Sequence, residues 1–88
     1  MPSATVGTLT VRVLLFGSYA ETLGFDEIEL SLDPPATVGD ALERLRALPG
    51  GERLPPKPLC ALNLSQASAD ASLSGGEELA ILPPLSGG

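Results

Sequence analysis

The sequence predicts an α+β domain, a mixed sheet with one main helix across one face. Three observations lead there: two runs of alternating apolar residues near the amino end, one central segment of helical periodicity, and short aliphatic runs that return after it.

The first strand is expected over Thr8 to Phe16, where Leu9, Val11, Val13 and Leu15 share one parity and Thr8, Thr10 and Arg12 the other. Leu14 and Phe16 interrupt the polar parity, which calls for burial on both faces or an exposed apolar contact spot. Gly17-Ser18 breaks the run, and Tyr19 to Leu23 fits a short helical turn before Gly24. Ile28, Leu30 and Leu32 alternate with Glu27, Glu29 and Ser31 in a second strand, antiparallel to the first, which Asp33-Pro34-Pro35 ends by removing ladder donors.

The helix follows. Thr37 is its expected N-cap, with Asp40 at the capping-box position, and Val38, Ala41, Leu42, Leu45 and Leu48 recur at helical spacing until Pro49-Gly50-Gly51. Residues Gly51 to Pro58 read as a surface loop. Leu59 to Leu64 is a third strand, Ser65 to Ser72 holds at most a short edge strand, Gly75-Gly76 makes a turn, and Leu79 to Leu82 is the last strand before Pro83-Pro84. This places one domain over 1–82 and an extended, flexible tail over 83–88.

Composition limits the chemistry. At 88 residues, with 43% hydrophobic but only 3% aromatic side chains, the core must be small and aliphatic. There is no His or Trp and a single Cys, Cys60, which removes a His-based triad, a His or multi-Cys zinc site, an iron–sulfur cluster and an intrachain disulfide. A net charge of -6 opposes binding to nucleic acid or an anionic membrane and favours a partner with a basic surface. No apolar run approaches the roughly 20 residues of a membrane span, and Met-Pro-Ser-Ala lacks a basic region leading into an apolar stretch, so a cytoplasmic location is expected.

The chemical feature is Pro83-Pro84-Leu85-Ser86-Gly87-Gly88. Two prolines favour an extended stem, and six residues reach roughly 20 Å. Gly87 and Gly88 carry no side chain, so a carboxylate at Gly88 can pass through a channel too narrow for any Cβ. That carboxylate is ionised and weakly nucleophilic, but an ATP-using partner can activate it as an acyl-adenylate, making the tail a substrate. The dipeptide alone fits a frayed terminus or linker remnant equally well.

Its context is more specific. Asn63 closing a strand, then Leu73 and Gly75-Gly76-Glu77-Glu78-Leu79-Ala80-Ile81-Leu82-Pro83-Pro84-Leu85-Ser86-Gly87-Gly88, resembles the molybdopterin synthase small subunits, the MoaD branch of the MoaD/ThiS family of ubiquitin-like β-grasp sulfur carriers. That pattern is a strand ending in Val-Asn, then Leu, a gap, Asp-Gly-Asp-Glu-Val-Ala, two apolar residues and Pro-Pro-Val-Ser/Thr-Gly-Gly. Val11 to Phe16 with Glu21-Thr22-Leu23-Gly24, and Thr37-Val38-Gly39-Asp40-Ala41-Leu42, resemble it too. Departures are Gly75-Gly76-Glu77 for Asp-Gly-Asp, Leu62 for Val, a polar region around Gln66 and the proline-rich Gly51 to Pro58 loop.

The resemblance implies a β-grasp fold with the first and last strands parallel at the sheet centre. It implies that a partner enzyme using ATP and Mg²⁺ adenylates Gly88, that a sulfur donor converts it to a thiocarboxylate, and that the charged carrier inserts its tail into the large subunit of molybdopterin synthase. Sulfur then passes to the cyclic pyranopterin precursor. On this reading the chain is a non-catalytic, sulfur-donating subunit of a heterotetramer, binding no cofactor or metal itself. Gly88 reacts; Gly87, Ser86, Leu85, Pro84 and Pro83 form the inserted tail; Leu82, Ile81 and Phe16 are the candidate partner contacts. Alternatives are a carrier for thiamine synthesis or tRNA thiolation, a ubiquitin-like protein modifier, or an interaction domain without terminal chemistry. Cys60 reads as core packing, and the acid pairs Glu77-Glu78 and Asp26-Glu27 as solvated turn residues.

Overall fold

The computed structural model describes residues 8–55 and 57–84. Strand β1 (Leu9–Leu15) runs antiparallel to β2 (Glu27–Leu32), with the short helix α1 (Ser18–Leu23) between them. Gly24 ends α1 in the left-handed region at φ 87°, returning its amide proton to the Ala20 carbonyl. A two-residue strand, β3 (Ala36–Thr37), leads into helix α2 (Val38–Arg46).

The capping box is present as expected. Asp40 donates its amide proton to Thr37 Oγ1 at 3.3 Å, and Thr37 donates its own to Asp40 Oδ2 at 2.8 Å. Helix α2 buries Val38, Ala41, Leu42 and Leu45 against the sheet and stops at Arg46, so Leu48 packs on the core from the turn beyond rather than from the helix.

Strands β4 (Leu59–Leu62), β5 (Ser65–Ala67), β6 (Ser72–Leu73) and β7 (Glu78–Leu82) complete the fold. The main sheet has the order β2-β1-β7-β4-β5. β1 and β7 lie parallel at its centre, with Val13 opposite Leu79 and Leu15 opposite Ile81, and every other pair is antiparallel. This is the β-grasp arrangement that the resemblance implied, an α+β fold. Side chains at one parity, Val11, Val13, Leu15, Leu79, Ile81 and Cys60, meet the helix in an aliphatic core. No described helix is long and apolar enough to cross a membrane.

Four expectations need correction. The Gly51 to Pro58 segment is not simply a surface loop: a 3-10 turn (Gly51–Arg53) brings Leu54 into the core at 2% exposure, and Arg46 Nε donates to the Leu54 carbonyl at 3.1 Å. The third strand stops at Leu62, because Asn63 and Leu64 both adopt positive φ, 49° and 73°, in a two-residue hairpin turn of the kind that matches strand twist. Leu in place of the usual Gly at its second position hid that turn. Third, β3 and β6 pair as a separate two-stranded sheet that the sequence reading did not include.

Glu77 and Glu78 are the fourth. Glu77 accepts amide protons from Ser74 at 2.6 Å and Gly75 at 2.7 Å, and Glu78 lies 3.6 Å from Arg12. They hold the approach to β7, whose start is also tied down by Asn63: its Oδ1 accepts the Glu78 amide proton at 3.0 Å.

Candidate functional site

Parallel pairing decides where the site lies. Two parallel neighbours finish at the same edge of a sheet, so the turn leaving β1 and the segment leaving β7 stand side by side. The ladder ends with the Phe16 amide donating to the Ile81 carbonyl at 3.3 Å. Pro83 has no amide proton with which to continue it. Instead its ring lies over Gly17, which takes φ 57° and ψ -132° as the chain turns into α1.

Pro84, the last described residue, is exposed and lines a cleft of about 540 Å³ with Tyr19, Leu59 and Cys60. Leu85, Ser86, Gly87 and Gly88 lie outside the described residues. Burial pushes the Cys60 thiol up to about 11, and its Sγ donates to the Pro58 carbonyl at 3.4 Å. The thiol is therefore protonated at neutral pH and is a poor nucleophile.

The face of the sheet opposite α2 adjoins this edge. Alternation and register put Ala80 between Leu14 and Ala61, and Leu82 beside Leu59, with Phe16 beyond the end of β1. Phe16 is 44% exposed and Leu59 39%. Below this apolar strip, Arg12 pairs with Glu27 at 3.2 Å and Glu78 at 3.6 Å, while Glu29 stands opposite it in register. The strip thus ends at the tail on one side and at an acid-rich row on the other.

Of the candidate contacts, Phe16 is exposed, Leu82 and Pro83 are half-buried, and Ile81 is fully buried beside Leu15. Ile81 is core, because its parity within β7 points it at α2. Sequence reading missed Leu59, Ala61 and Ala80 as members of the open face. Their parity was visible, but only the β1–β7 and β4–β7 registers set Ala80 between Leu14 and Ala61 and put Leu59 opposite Leu82.

The family model for the "ThiS family" matches residues 13–88, nearly the whole chain and every apolar residue of this face. The chain belongs to the ThiS family. It is thereby one of the ubiquitin-like sulfur carriers of the MoaD/ThiS type.

Solved structures resemble this ThiS-family chain closely in fold. The crystal structure of SAMP1 from Haloferax volcanii is 30% identical, with a TM-score of 0.78 over 90% of this chain and 99% of that one. A Pyrococcus furiosus protein described as molybdopterin converting factor, subunit 1, is 23% identical, with a TM-score of 0.75 over 86% and 98%. A chain of the complex of subunits 1 and 2 of molybdopterin-converting factor from Helicobacter pylori 26695 is 20% identical, with a TM-score of 0.65 over 91% and 100%. The last two establish the shared fold.

Proposed function

We propose that this carrier serves molybdopterin synthesis, with Gly88 as the group that carries sulfur. The observation behind this reading is the family match running through residue 88 on a domain whose central strand leads directly into Pro83-Pro84. The two molybdopterin converting factor structures that share the fold, one of them a complex of two subunits, support that branch and a large-subunit partner.

The chemistry follows from the carboxylate. One oxygen of Gly88 attacks the α-phosphorus of ATP on the partner enzyme, with Mg²⁺ there, giving an acyl-adenylate and pyrophosphate. A sulfur donor displaces AMP and leaves a thiocarboxylate. Within the large subunit this sulfur attacks the pyranopterin precursor to give a thioester between the two, and water then cleaves the Gly88 acyl–sulfur bond, leaving sulfur on the precursor and returning Gly88 as a carboxylate. Gly87 gives the tip its slimness, Ser86, Leu85, Pro84 and Pro83 span the channel, and Phe16, Leu82, Leu14 and Leu59 supply apolar contact around its mouth. The carrier needs no resident cofactor, and the synthase is a heterotetramer.

The test is intact mass after incubation with the adenylating enzyme, ATP, Mg²⁺ and a sulfur source. The expected product has one oxygen replaced by sulfur, and a chain lacking Gly88 stays unchanged. An unchanged wild-type mass overturns the reading. Adding the large subunit and the pyranopterin precursor to the charged carrier then yields molybdopterin; a thiazole product or thiolated tRNA in the corresponding assays assigns the carrier to another branch.

The likeness to SAMP1, a small archaeal modifier protein, at 30% identity favours a second reading, attachment of Gly88 to protein amines. Isopeptide-linked products formed with ATP and the adenylating enzyme would identify it.

A further inference from the structure

We infer that the outer edge of β2 is an interaction surface that takes an extended, basic segment of a protein partner as an added strand. This surface lies wholly within the described residues and does not depend on the proposed role of Gly88.

The edge is open because of how β2 meets β1. Leu15 donates its amide proton to the Asp26 carbonyl at 2.9 Å, and in an antiparallel pair the residues that make such bonds recur at every second position. Ile28, Leu30 and Leu32, opposite Val13, Val11 and Leu9, therefore direct their backbone groups to β1. The N–H and C=O groups of Glu27, Glu29 and Ser31 point the other way, and β2 ends the sheet on that side. None of them has a backbone partner among the described residues. The opposite edge strand, β5, has 3 residues, whereas β2 has 6. Short length guards β5 against pairing with another chain, and β2 lacks that guard.

Charge selects the strand that fits. Glu27, Glu29 and Ser31 are exposed, and their side chains share the open face with Arg12. Arg12 is the one cation beside Glu27, Glu29 and Glu78, so the row keeps a net negative charge, and Glu29 forms no ion pair among the described residues. A second copy of the chain adding its own β2 here would bring acid row beside acid row, and like charges opposed across strands are destabilising. Lysine or arginine at alternate positions meets the opposite sign. Apolar side chains between them fall on the helix side of the sheet, next to the partly buried Ile28.

A cleft at the start of β2 offers an anchor for one of these cations. It encloses about 370 Å³, with Leu14, Phe16 and Ala20 in its wall and Asp26 and Glu27 beside them. The apolar wall suits the methylene stem of a lysine or arginine, and the two carboxylates suit its head. Main-chain hydrogen bonds along the edge then supply affinity, while the acid row chooses the sign of the partner.

The experiment measures amide hydrogen exchange of the full chain by NMR at low ionic strength, with and without a short blocked peptide of alternating lysine and valine. Exchange at Glu27, Glu29 and Ser31 is expected to slow at least about tenfold at saturation, while the amides of β5 keep their rates. The same peptide with glutamate for lysine, or with its backbone N-methylated throughout, is expected to give no protection. Glu29→Gln is expected to raise the Kd of the lysine peptide about twofold to fivefold, with unchanged protection at Leu30 showing that the β1–β2 pair is intact. Free-protein exchange rates at millimolar lysine peptide overturn the inference. Protection by the N-methylated peptide overturns strand addition, and protection by the glutamate peptide or an unaltered Kd in Glu29→Gln overturns the basic occupant. Protection that grows with protein concentration in the absence of peptide overturns it in favour of a second copy.

Discussion

The carboxylate of Glu77 accepts the amide proton of Gly75 at 2.7 Å, so the turn into the central strand is held by the residue that follows it. A second bond from the Ser74 amide at 2.6 Å completes the clamp, and Gly76 donates to the Thr10 carbonyl at 2.7 Å, fixing the turn against β1. Glu77→Ala is expected to destabilise the domain by about 1 kcal/mol, seen as a fall in Tm of about 4–8 °C. A Tm unchanged within error would dismiss the clamp. Partial desolvation raises the Glu77 pKa, but the amide hydrogen bonds outweigh it and the net shift is downward. A depressed folded-state pKa means that this stabilisation is complete above the unfolded carboxylate value of about 4.3 and disappears as pH falls through the lower folded value. The stability difference between wild type and Glu77→Ala should therefore narrow in acid.

Leu54 ties the proline-rich segment to the core. Leu54→Ala is expected to cost about 2–4 kcal/mol in a denaturant titration. A cost below about 0.5 kcal/mol, the level of an ordinary surface substitution, would show that the segment is a loose loop after all.

Leu64 occupies the second turn position of the β4–β5 hairpin at φ 73° with 92% of its surface exposed. Leu64→Gly relieves a left-handed conformation worth about 1–2 kcal/mol, offset in part by glycine's added chain entropy of about 0.5–1 kcal/mol. A net gain in stability is the expected result of calorimetry, against the usual cost of removing a leucine, and any loss would contradict it.

Cys60 is buried, and its thiol is pushed up to about 11. In the native protein at neutral pH it is expected to resist a thiol reagent that labels it fully once the chain is unfolded. Rapid labelling of the folded state would contradict this. Cys60→Ala should still accept sulfur at Gly88, because the proposed chemistry does not pass through the thiol.

Phe16 is exposed and Ile81 is core, so the proposed docking to a large subunit separates their roles. Phe16→Ala is expected to weaken binding to the large subunit about tenfold, or about 1.4 kcal/mol, with little change in stability. Ile81→Ala should do the reverse at the level of the isolated domain, costing about 2–5 kcal/mol. Calorimetric binding and thermal melts on both variants check the division, and a stability loss in Phe16→Ala with unaltered affinity would reverse the assignment.

Much of the fold was legible because local chemistry and packing agree. Leu9, Val11, Val13 and Leu15 alternate as a half-buried strand must, and the Thr37 and Asp40 pair announces a helix that forms with both capping bonds. The misreadings fall where a side chain's role depends on a distant backbone. Leu54 looked like loop because nothing near it shows a period, and Leu64 looked like strand because its apolarity outweighed the turn signal of Asn63.

The sequence by itself determined the α+β class, the aliphatic core, the absence of histidine chemistry and the Gly75-to-Gly88 pattern that resembles the MoaD/ThiS carriers. These are matters of residue type and short-range spacing. Only the tertiary structure decided that β1 and β7 run parallel in the register that brings Pro83 over Gly17, that Ile81 faces inward, and that Leu59 and Ala61 join Leu14 and Leu82 on one open face. Register joins residues far apart in the chain through backbone hydrogen bonds that every residue except proline can offer. Side-chain pattern therefore says which face a residue prefers, while the assembled sheet says which neighbour it meets.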